Sequence, residues 1–357
     1  MSAPRLGVVG VGSLGYHHAR ILSSMPEVQF SGVHDTSPAR LEEVAEKLGV
    51  ATETSLDALL DGSDAVVVAV PTTAHEAVAM AAIERGVHIL IEKPIAPTLA
   101  AADRIVNAAD AANVIVQIGH VERFNAALRA CEPYLEAPLF VESHRLAPFN
   151  PRGTDVAVVL DLMIHDLDLV LSLMKRPVSA VAAVGVPVLT PSVDIANARL
   201  EFEGGGVANL TASRISLERM RKIRFFQKSG YISLDLAAGT GEFLRLKPGM
   251  AEQLGALMMA GAAPARAGAA PDPAGAGPGV RAGVGTGAAM AAGFGIQDLV
   301  ERISLAGDGG EPLAHELASF VAAVRGDAPV PVSGHDGRQA LAVALDIVER
   351  MRAHVAH

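Results

Sequence analysis

The chain has 357 residues, 50% of them hydrophobic and 4% aromatic, and its formal net charge is −10 at pH 7. The length predicts two domains, and the acidic charge argues against nucleic acid as a partner because neutralising phosphates requires a basic surface. The single cysteine, Cys131, excludes an internal disulfide and a cysteine-based metal cluster. It fits a reducing compartment, and without a signal-peptide pattern or an apolar stretch of about 18 residues we expect a cytoplasmic protein that binds no membrane.

The first motif is a glycine fingerprint that follows a short apolar strand, 6–9, and opens a predicted helix. It reads Gly10-Val11-Gly12-Ser13-Leu14-Gly15. The first glycine permits a tight turn, the second lets backbone approach a pyrophosphate, and the third lets helix and strand pack closely. Free amides at the helix start would hold the phosphate charge. We therefore predict that a dinucleotide is bound by Gly10, Gly12, Ser13, Leu14 and Gly15. A glycine-rich turn in an unrelated α/β domain is the alternative.

The second strand, 28–34, ends in an acid, Asp35, twenty residues past Gly15. A carboxylate at that position accepts hydrogen bonds from a ribose diol and repels a 2′-phosphate, so NAD is favoured over NADP. Arg40 lies nearby in the sequence and leaves NADP open as the alternative cofactor.

Helices and apolar strands go on alternating up to residue 118. We predict helices at 38–48, 75–85 and 98–112, and strands at 64–70, 87–91 and 114–118. Repeated alternation with Val/Ile-rich strands predicts a doubly wound parallel sheet, here an NAD-binding Rossmann domain over 1–122. Strands end at Pro71-Thr72 and at Glu92-Lys93-Pro94, so Pro71, Thr72, Glu92 and Lys93 are predicted to face the cofactor crevice.

Lys93 combines a position at the carboxyl end of a buried strand with a proline directly behind it. Proline fixes its own φ and restricts the residue before it, so the backbone aims the lysine rather than leaving it to wander. A positioned amine suggests chemistry. A strand-ending turn with a solvated lysine is the alternative.

After residue 122 the pattern changes to α+β. We predict helices at 123–135, 160–174, 311–325 and from Ser333 onward, and strands at 139–146, 196–203, 207–213, 223–226 and 231–236. Alternating strands around a glycine turn predict a large, mostly antiparallel open sheet, and we assign residues 123–357 to a substrate-binding and oligomerisation domain. Residues at about 248–294 are rich in Ala, Gly and Pro and are interpreted as a flexible insertion. The fold class is thus α/β.

Asp161 and His165 are spaced i and i+4, so on a helix they point from one face. A histidine beside a carboxylate is the usual proton carrier near neutral pH. The alternatives are a solvated helix face and a metal site. No further ligand set is evident, and we predict no metal.

Taken together, these residues resemble the glucose-fructose oxidoreductase, inositol dehydrogenase and MocA (Gfo/Idh/MocA) family. The resemblance rests on the glycine fingerprint, Glu92-Lys93-Pro94, the segment QIGHVERFN at 117–125, and Asp161 with His165. It implies that Lys93, Asp161 and His165 surround a reacting carbinol, and that Arg123, Asn125 and His165 contact substrate. The family commonly has glycine between the aspartate and the histidine, where this chain has Leu162-Met163.

Within the family, segments of this chain resemble those of the branch that oxidises the 3-hydroxyl of UDP-N-acetylglucosamine to a ketone. That ketone leads towards a diamino-sugar precursor of lipid A. The resemblance thus implies an NAD-dependent dehydrogenase, with an inositol or unactivated-sugar dehydrogenase and a catalytically silent NAD-binding regulatory module as alternatives. The proton of the substrate hydroxyl would pass to His165 directly or through Lys93.

A basic cluster in this acidic chain suits a diphosphate, or alternatively a polar sheet face or a subunit interface. It consists of Arg214, Arg219, Arg221, Lys222 and Arg224. We expect a sugar or nucleotide-sugar partner and a homo-oligomer, a dimer or tetramer, formed through the exposed sheet.

Overall fold

The computed structural model describes residues 3–150, 156–250, 299–307 and 309–355. Its first sheet is parallel, with the strand order β2-β1-β3-β4-β5. The strands are β1 (Arg5–Val9), β2 (Gln29–His34), β3 (Ala65–Val68), β4 (His88–Glu92) and β5 (Val116–Gly119). Strands β1, β3, β4 and β5 are almost wholly buried because helices cover both faces, whereas the edge strand β2 is only partly buried. The predicted doubly wound sheet is confirmed.

Some of the helices that cover the first sheet begin at a capping side chain. The helices are α1 (Ser13–Leu22), α2 (Pro38–Leu48), α3 (Leu56–Asp61), α4 (His75–Ile83) and α5 (Leu99–Ala112). The Ser37 hydroxyl accepts from the Arg40 amide at the start of α2, and left-handed Gly49 ends that helix. Thr98 caps α5 in the same way. Short-range capping of this kind explains why the predicted bounds of α2 hold.

The second sheet has eight strands in the order β13-β12-β11-β10-β6-β9-β8-β7, antiparallel except for the β6–β9 pair. The strands are β6 (Phe140–Leu146), β7 (Val178–Val186), β8 (Ile195–Phe202), β9 (Val207–Ser213), β10 (Met220–Gln227), β11 (Gly230–Asp235), β12 (Thr240–Leu246) and β13 (Val300–Ala306). The mostly antiparallel sheet is confirmed. Strands β7, β12 and β13 add to the prediction.

The predicted insertion at 248–294 lies almost entirely outside the described residues. The strands on either side of it, β12 and β13, pair with each other, and Leu246 lies opposite Val300. The described residues on either side of it therefore lie side by side at the edge of the second sheet.

Two predicted helices are corrected. The helix predicted at 123–135 is broken: a 3-10 turn at Val121–Phe124 precedes α6 (Ala126–Cys131), because Asn125 is extended and caps α6 with its side chain. The helix predicted at 160–174 begins with a π-helical turn, Val159–Met163, and becomes α-helical only in α7 (Ile164–Met174).

The last two helices join the sheets. In α8 (Pro312–Val324), Phe320 packs with Leu6 and Leu90 in the core of the first sheet. In α9 (Gly334–Val355), Leu341 packs in the other core of the first sheet. Met351 belongs to the core of the second sheet. The domain boundaries 1–122 and 123–357 stay predictions. The chain after β13 contributes to the cores of both sheets. Across the described ranges, no helix has the length and apolarity needed to cross a bilayer.

Candidate active site

The candidate site lies at the carboxyl edge of the parallel sheet, where the strand order changes direction between β1 and β3. Open α/β sheets bind their ligands at such a switch point. The glycine loop follows β1, the Val70-Pro71 turn follows β3, and Lys93-Pro94 follows β4 with a cis peptide bond. A Cβ on Gly10 would lie 2.8 Å from the Val70 amide nitrogen, so the first two of these turns are in close contact.

The glycine loop has the geometry that a pyrophosphate requires. Gly10 has a φ of +85°, and a Cβ on Gly15 would collide with the Gly10 carbonyl oxygen. A Cβ on Gly12 would meet no described atom within 4 Å, and α1 starts there without a side-chain cap. Ser13 and Leu14 are exposed in the first turn of the helix. An anion can thus approach the free amides of α1.

Asp35 lies beside this loop at the end of β2. Its Oδ2 accepts from the Val11 amide at 2.8 Å, and its Oδ1 accepts from the Ser37 amide at 2.9 Å. Arg40 donates from Nε to the Val11 carbonyl oxygen at 2.6 Å and from Nη1 to Glu43 at 2.5 Å. The acid therefore stands at the loop, and the arginine that could receive a 2′-phosphate is already paired with a carboxylate.

A buried histidine that the sequence analysis did not single out holds two of the crevice turns together. His75 has one ring nitrogen 3.0 Å from the Val70 carbonyl oxygen and the other 3.0 Å from the Pro94 carbonyl oxygen. It is 1% exposed. His75 thereby fixes the turn before Pro71 and Thr72 relative to the turn that carries the lysine.

Lys93 reaches across the crevice to the π-helical turn before α7. Its Nζ donates to the backbone carbonyl oxygen of Asp161 at 2.6 Å and lies 3.8 Å from Asp161 Oδ1. The side chain is 15% exposed, which rules out the solvated lysine considered above. Burial lowers the pKa of Lys93, the carboxylates of Asp161 and Glu92 oppose that shift, and the charge of Arg145 adds to it.

The π-helical turn explains how Asp161 meets the lysine. The Ile164 amide donates to the Val159 carbonyl oxygen, five residues back, instead of four. Single π turns inside helices are frequent at functional sites. The turn places both the backbone carbonyl and the carboxylate of Asp161 near Lys93, so the simple one-face spacing predicted from i and i+4 is replaced by a wider turn.

His165 stands at the start of α7 with a second histidine beside it. The rings of His165 and His120 meet edge to face with centroids 6.3 Å apart. The Nδ1 of His165 is buried and has no hydrogen-bond partner among the described residues. Burial lowers the pKa of His165 well below its ordinary value, and the positive charges of Lys93 and Arg145 lower it further. The ring is therefore neutral at pH 7 and able to accept a proton.

Glu92 points away from the solvent, towards α1. Its Oε1 lies 2.8 Å from His18 Nε2, and its Oε2 accepts from the Lys93 amide at 3.2 Å. Burial disfavours its charge, but the bond to His18 and the charges of His18 and Lys93 outweigh burial and lower the pKa of Glu92. In this structure Glu92 joins the helix of the glycine loop to the lysine, and its contact with a cofactor stays a prediction.

The two other predicted substrate residues make intramolecular contacts. Arg123 donates to both carboxylate oxygens of Asp168, at 2.6 and 2.8 Å. Asn125 accepts from the Ala127 amide and donates to the Leu236 carbonyl oxygen at 2.8 Å. Both residues thus hold the segment after His120 in place, and their binding of substrate stays a prediction.

The residues of the basic cluster that belong to β10 divide between the two faces of the second sheet. Arg221 points inward, 3.5 Å from Glu122, and its charge is among those that lower the pKa of His165. Lys222 and Arg224 face the other way, where Arg224 pairs with Glu142 at 3.0 Å. Alternation along a strand places neighbours on opposite faces, so Arg221 is on the side of the candidate site and its two neighbours are not.

Beneath Arg221 lies a buried ion-pair network that the sequence analysis missed. Arg145 donates to Asp166 at 2.7 Å and to Glu122 at 2.9 Å. Such a network fixes the floor of the site, since removing one partner would leave a buried charge uncompensated. Among the described residues, no group of three or more His, Cys, Asp or Glu side chains is placed to hold a metal ion.

Family models match two overlapping parts of the chain. Residues 4–120 match the Gfo/Idh/MocA oxidoreductase family with its NAD-binding Rossmann fold, and residues 117–233 match the Gfo/Idh/MocA C-terminal domain.

Known proteins resemble the chain over different lengths. UDP-N-acetylglucosamine 3-dehydrogenase from Acidithiobacillus ferrooxidans is 36% identical over 344 residues, 96% of each chain. The scyllo-inositol 2-dehydrogenase (NAD(+)) of Bacillus subtilis is 29% identical, over 59% of this chain and 68% of that protein. A solved structure of the Acidithiobacillus enzyme has a TM-score of 0.81 at 34% identity, covering 99% of both chains. A putative myo-inositol dehydrogenase from Sinorhizobium meliloti has a TM-score of 0.72 at 21% identity, covering 98% of both, and shares the fold.

Proposed function

Because the chain belongs to the Gfo/Idh/MocA family of NAD-binding oxidoreductases, we propose that this dehydrogenase oxidises the 3-hydroxyl of UDP-N-acetylglucosamine to a ketone. The similarity to the UDP-N-acetylglucosamine enzyme supports this substrate because it extends over 96% of both chains, including the second sheet. The inositol dehydrogenase relative matches 59% of the chain. A 3-ketone is ready for amination, and its use towards a lipid A precursor stays a prediction from the resemblance.

The contact between Lys93 Nζ and Asp161 carries the proposal of chemistry at this site. It brings together an amine from the turn after β4, held by a carbonyl oxygen, and a carboxylate from the π-helical turn. Held in this way, Lys93 stabilises the negative charge that develops on the substrate oxygen. His165, neutral at pH 7, takes the hydroxyl proton. Bound NAD supplies the acceptor for the hydride.

NAD is the proposed cofactor, in preference to NADP. The open approach to Gly12 fits a pyrophosphate, and Asp35 at the loop would repel a 2′-phosphate. Arg40 does not offset this repulsion, because Glu43 neutralises its charge and two carbonyl oxygens occupy its other nitrogens. The residues that would hold the cofactor are Gly10, Gly12, Ser13, Leu14, Gly15, Asp35, Pro71, Thr72, Glu92 and Lys93.

Arg221 is proposed to hold the phosphates of the nucleotide sugar. Its side chain is 44% exposed and hydrogen bonds weakly to Glu122 at 3.5 Å. A guanidinium that is partly exposed and on the side of His165 can donate two hydrogen bonds to a phosphate. This feature favours an activated sugar over an inositol, which carries no phosphate.

The test is NADH formation, followed by its absorbance, with purified full-length protein and four candidate substrates. UDP-N-acetylglucosamine should support turnover, whereas UDP, glucose and myo-inositol should not. Activity on myo-inositol or glucose without activity on the UDP-sugar would mean that the substrate is an inositol or an unactivated sugar instead. Tight NAD binding without turnover on any sugar would favour a catalytically silent regulatory module. The presence of Lys93, Asp161 and His165 argues against such a module.

A homo-oligomer is proposed to form through the outer face of the second sheet. Phe226 lies between Phe140 and Tyr231 on that face, with ring centroids 5.4 and 4.9 Å apart. Val186 and Leu246 are 53% and 45% exposed. Burying such a face would stabilise a dimer or tetramer.

Sedimentation equilibrium should show a lower mass for Phe226→Asp and an unchanged mass for Leu217→Asp, a turn residue that is 99% exposed. Equal masses would contradict the proposal. The cytoplasmic location stays a prediction.

A further inference from the structure

A group of buried polar side chains lies behind Lys93, between the sheet and helices α1 and α8. Its members, called here the buried polar pocket, are His18, Glu92, Gln117, His120 and Glu316, each 8% exposed or less. Within the described part of the chain, several of their polar atoms have no hydrogen-bond partner. These atoms are His18 Nδ1, Gln117 Oε1, both ring nitrogens of His120 and both carboxylate oxygens of Glu316.

Direct contacts and strand pairing place these side chains in one region. Gln117 Nε2 donates to the Glu316 carbonyl oxygen and to Ser319 Oγ, both at 3.2 Å. Glu92 lies opposite Gly119 in the β4–β5 pair, next to His120. Helix α8 contacts both α1 and the turn that follows His120. The five side chains therefore lie in one region at the back of the site.

Unpartnered polar atoms at such depth are costly. Each costs about 1–3 kcal/mol when it is buried without a hydrogen bond. Native proteins meet this cost with internal water, which takes two to four polar partners and occupies polar sites of this kind. The six orphaned atoms supply enough donors and acceptors to hold more than one water molecule. A chain of water and side chains is the ordinary path for protons inside a protein.

We propose that the buried polar pocket is a proton relay, in which His120 receives the substrate proton from His165 and Glu316 passes it on through internal water. The inference rests on alcohol oxidation at this site. Each turnover sends one hydride to the cofactor and one proton into the relay. For each proton that it takes up, Glu316 releases one, which leaves through internal water to the solvent, so Glu316 is a carboxylic acid before and after the step. No other reactant is needed.

The charge states fit a relay. Burial raises the pKa of Glu316 well above its ordinary value, and the charges of Glu92 and Asp168 raise it further, so it is protonated at pH 7. Burial lowers the pKa of His120, so its ring is neutral and can both donate and accept. The charged and titratable groups that face the two residues come from α1, β4, the 121–124 turn and α7; they are His18, Glu92, Lys93, Arg123, Asp168 and His165.

The experiment compares Glu316→Gln with the unmodified protein and with Glu311→Gln, a matched substitution on the exposed start of the same helix. In Glu316→Gln, kcat should fall about tenfold or more, while KM for NAD and for the sugar stays within about twofold of wild type, since the residue touches neither. The solvent deuterium isotope effect on kcat should rise, because proton movement becomes slower. Glu311→Gln should change none of these.

A measurement on the resting protein decides the proton on Glu316 without any substrate. The infrared difference between wild type and Glu316→Gln at pH 7 should contain the carbonyl stretch of a protonated carboxylic acid. If Glu316→Gln does not fold, Glu316→Asp, which keeps the acid, should retain the band at a shifted position. Absence of the band, or wild-type kcat and isotope effect in a folded Glu316→Gln, would overturn the relay. If wild type turns over none of the sugars, the proposed function is overturned instead. The infrared result would then still decide whether Glu316 is protonated, and no relay through Glu316 is possible unless it is.

Discussion

The ammonium of Lys93 donates to the backbone carbonyl oxygen of Asp161 at 2.6 Å, and this bond ties the edge of the parallel sheet to the π-helical turn before α7. A main-chain acceptor holds the amine at a fixed place even if the Asp161 side chain moves. The carboxylate, 3.8 Å away and 36% exposed, is free to contact a ligand. The bond thus separates the task of placing the lysine from the task of binding substrate.

Replacing Lys93 should abolish turnover while leaving cofactor affinity nearly intact. In Lys93→Met, kcat should fall by about 10³-fold or more, because a preorganised cation is lost from the developing alkoxide. The dissociation constant for NAD, measured by calorimetry, should change by less than about threefold, since the glycine loop supplies most of the contacts. Lys47→Met, an exposed lysine paired with Glu43, is the control. Retained turnover in Lys93→Met would end the assignment.

The pH dependence of kcat/KM should report the unusual environment of His165. A base must be neutral to accept a proton, so the rate falls as pH drops through its pKa. Burial and nearby cations lower that pKa well below 6.5, so kcat/KM should be level from pH 7.5 through 6.5 and decline only at lower pH. In Arg221→Gln a positive charge is lost and the decline should begin at a higher pH. A decline already complete at pH 6.5 in wild type would contradict the role of His165.

The two faces of the second sheet should respond differently to loss of an arginine. Arg221→Ala should raise KM for UDP-N-acetylglucosamine about 10- to 100-fold, the effect of losing a charge-assisted hydrogen bond of about 1.5–3 kcal/mol. Arg224→Ala, three residues further along β10 and on the outer face, should leave KM unchanged. Steady-state kinetics at saturating NAD measure both. Equal effects, or a larger one for Arg224→Ala, would refute phosphate binding by Arg221.

Cofactor preference should depend on Asp35 and on the pairing of Arg40. In Asp35→Ser the repulsion of a 2′-phosphate is removed, so the ratio of kcat/KM for NAD to that for NADP should fall about 10-fold or more. Adding Glu43→Gln frees the guanidinium of Arg40 and should lower the ratio further. Glu46→Gln, on the same helix, serves as the comparison. A ratio that does not move would mean that Asp35 does not meet the ribose.

A buried carboxylate directly before β8 should contribute to stability. Asp194 accepts from the amides of Val188, Leu189 and Thr190 at 2.7–2.9 Å. Burial acts in the opposite direction, but these bonds and the Thr190 hydroxyl lower the pKa of Asp194 to about 2. Its contribution is therefore present above pH 4 and is lost as pH falls towards 2. Asp194→Asn should lower the free energy of unfolding in urea at pH 7 by about 1–3 kcal/mol, and wild type and variant should converge at low pH.

The sequence by itself determined the features that depend on neighbours along the chain. The glycine fingerprint requires a left-handed Gly10 and a Gly15 without a side chain, and both are needed within one turn. The bounds of α2 follow from Ser37 and Gly49 at its ends. The alternation of buried strands with amphipathic helices also sufficed for the parallel sheet, because each unit buries its own apolar face next to the previous one.

Tertiary structure alone decided how distant residues combine. Strand β13 pairs with β12 across the long low-complexity segment, and no local pattern specifies such a partner. The π-helical turn at Asp161, the inward position of Arg221 and the pocket around Glu316 likewise depend on contacts between residues far apart in the chain. Burial, not residue type, makes Glu316 a neutral acid and His165 a neutral base. Loss of hydration changes the charge of a side chain only after the fold has enclosed it.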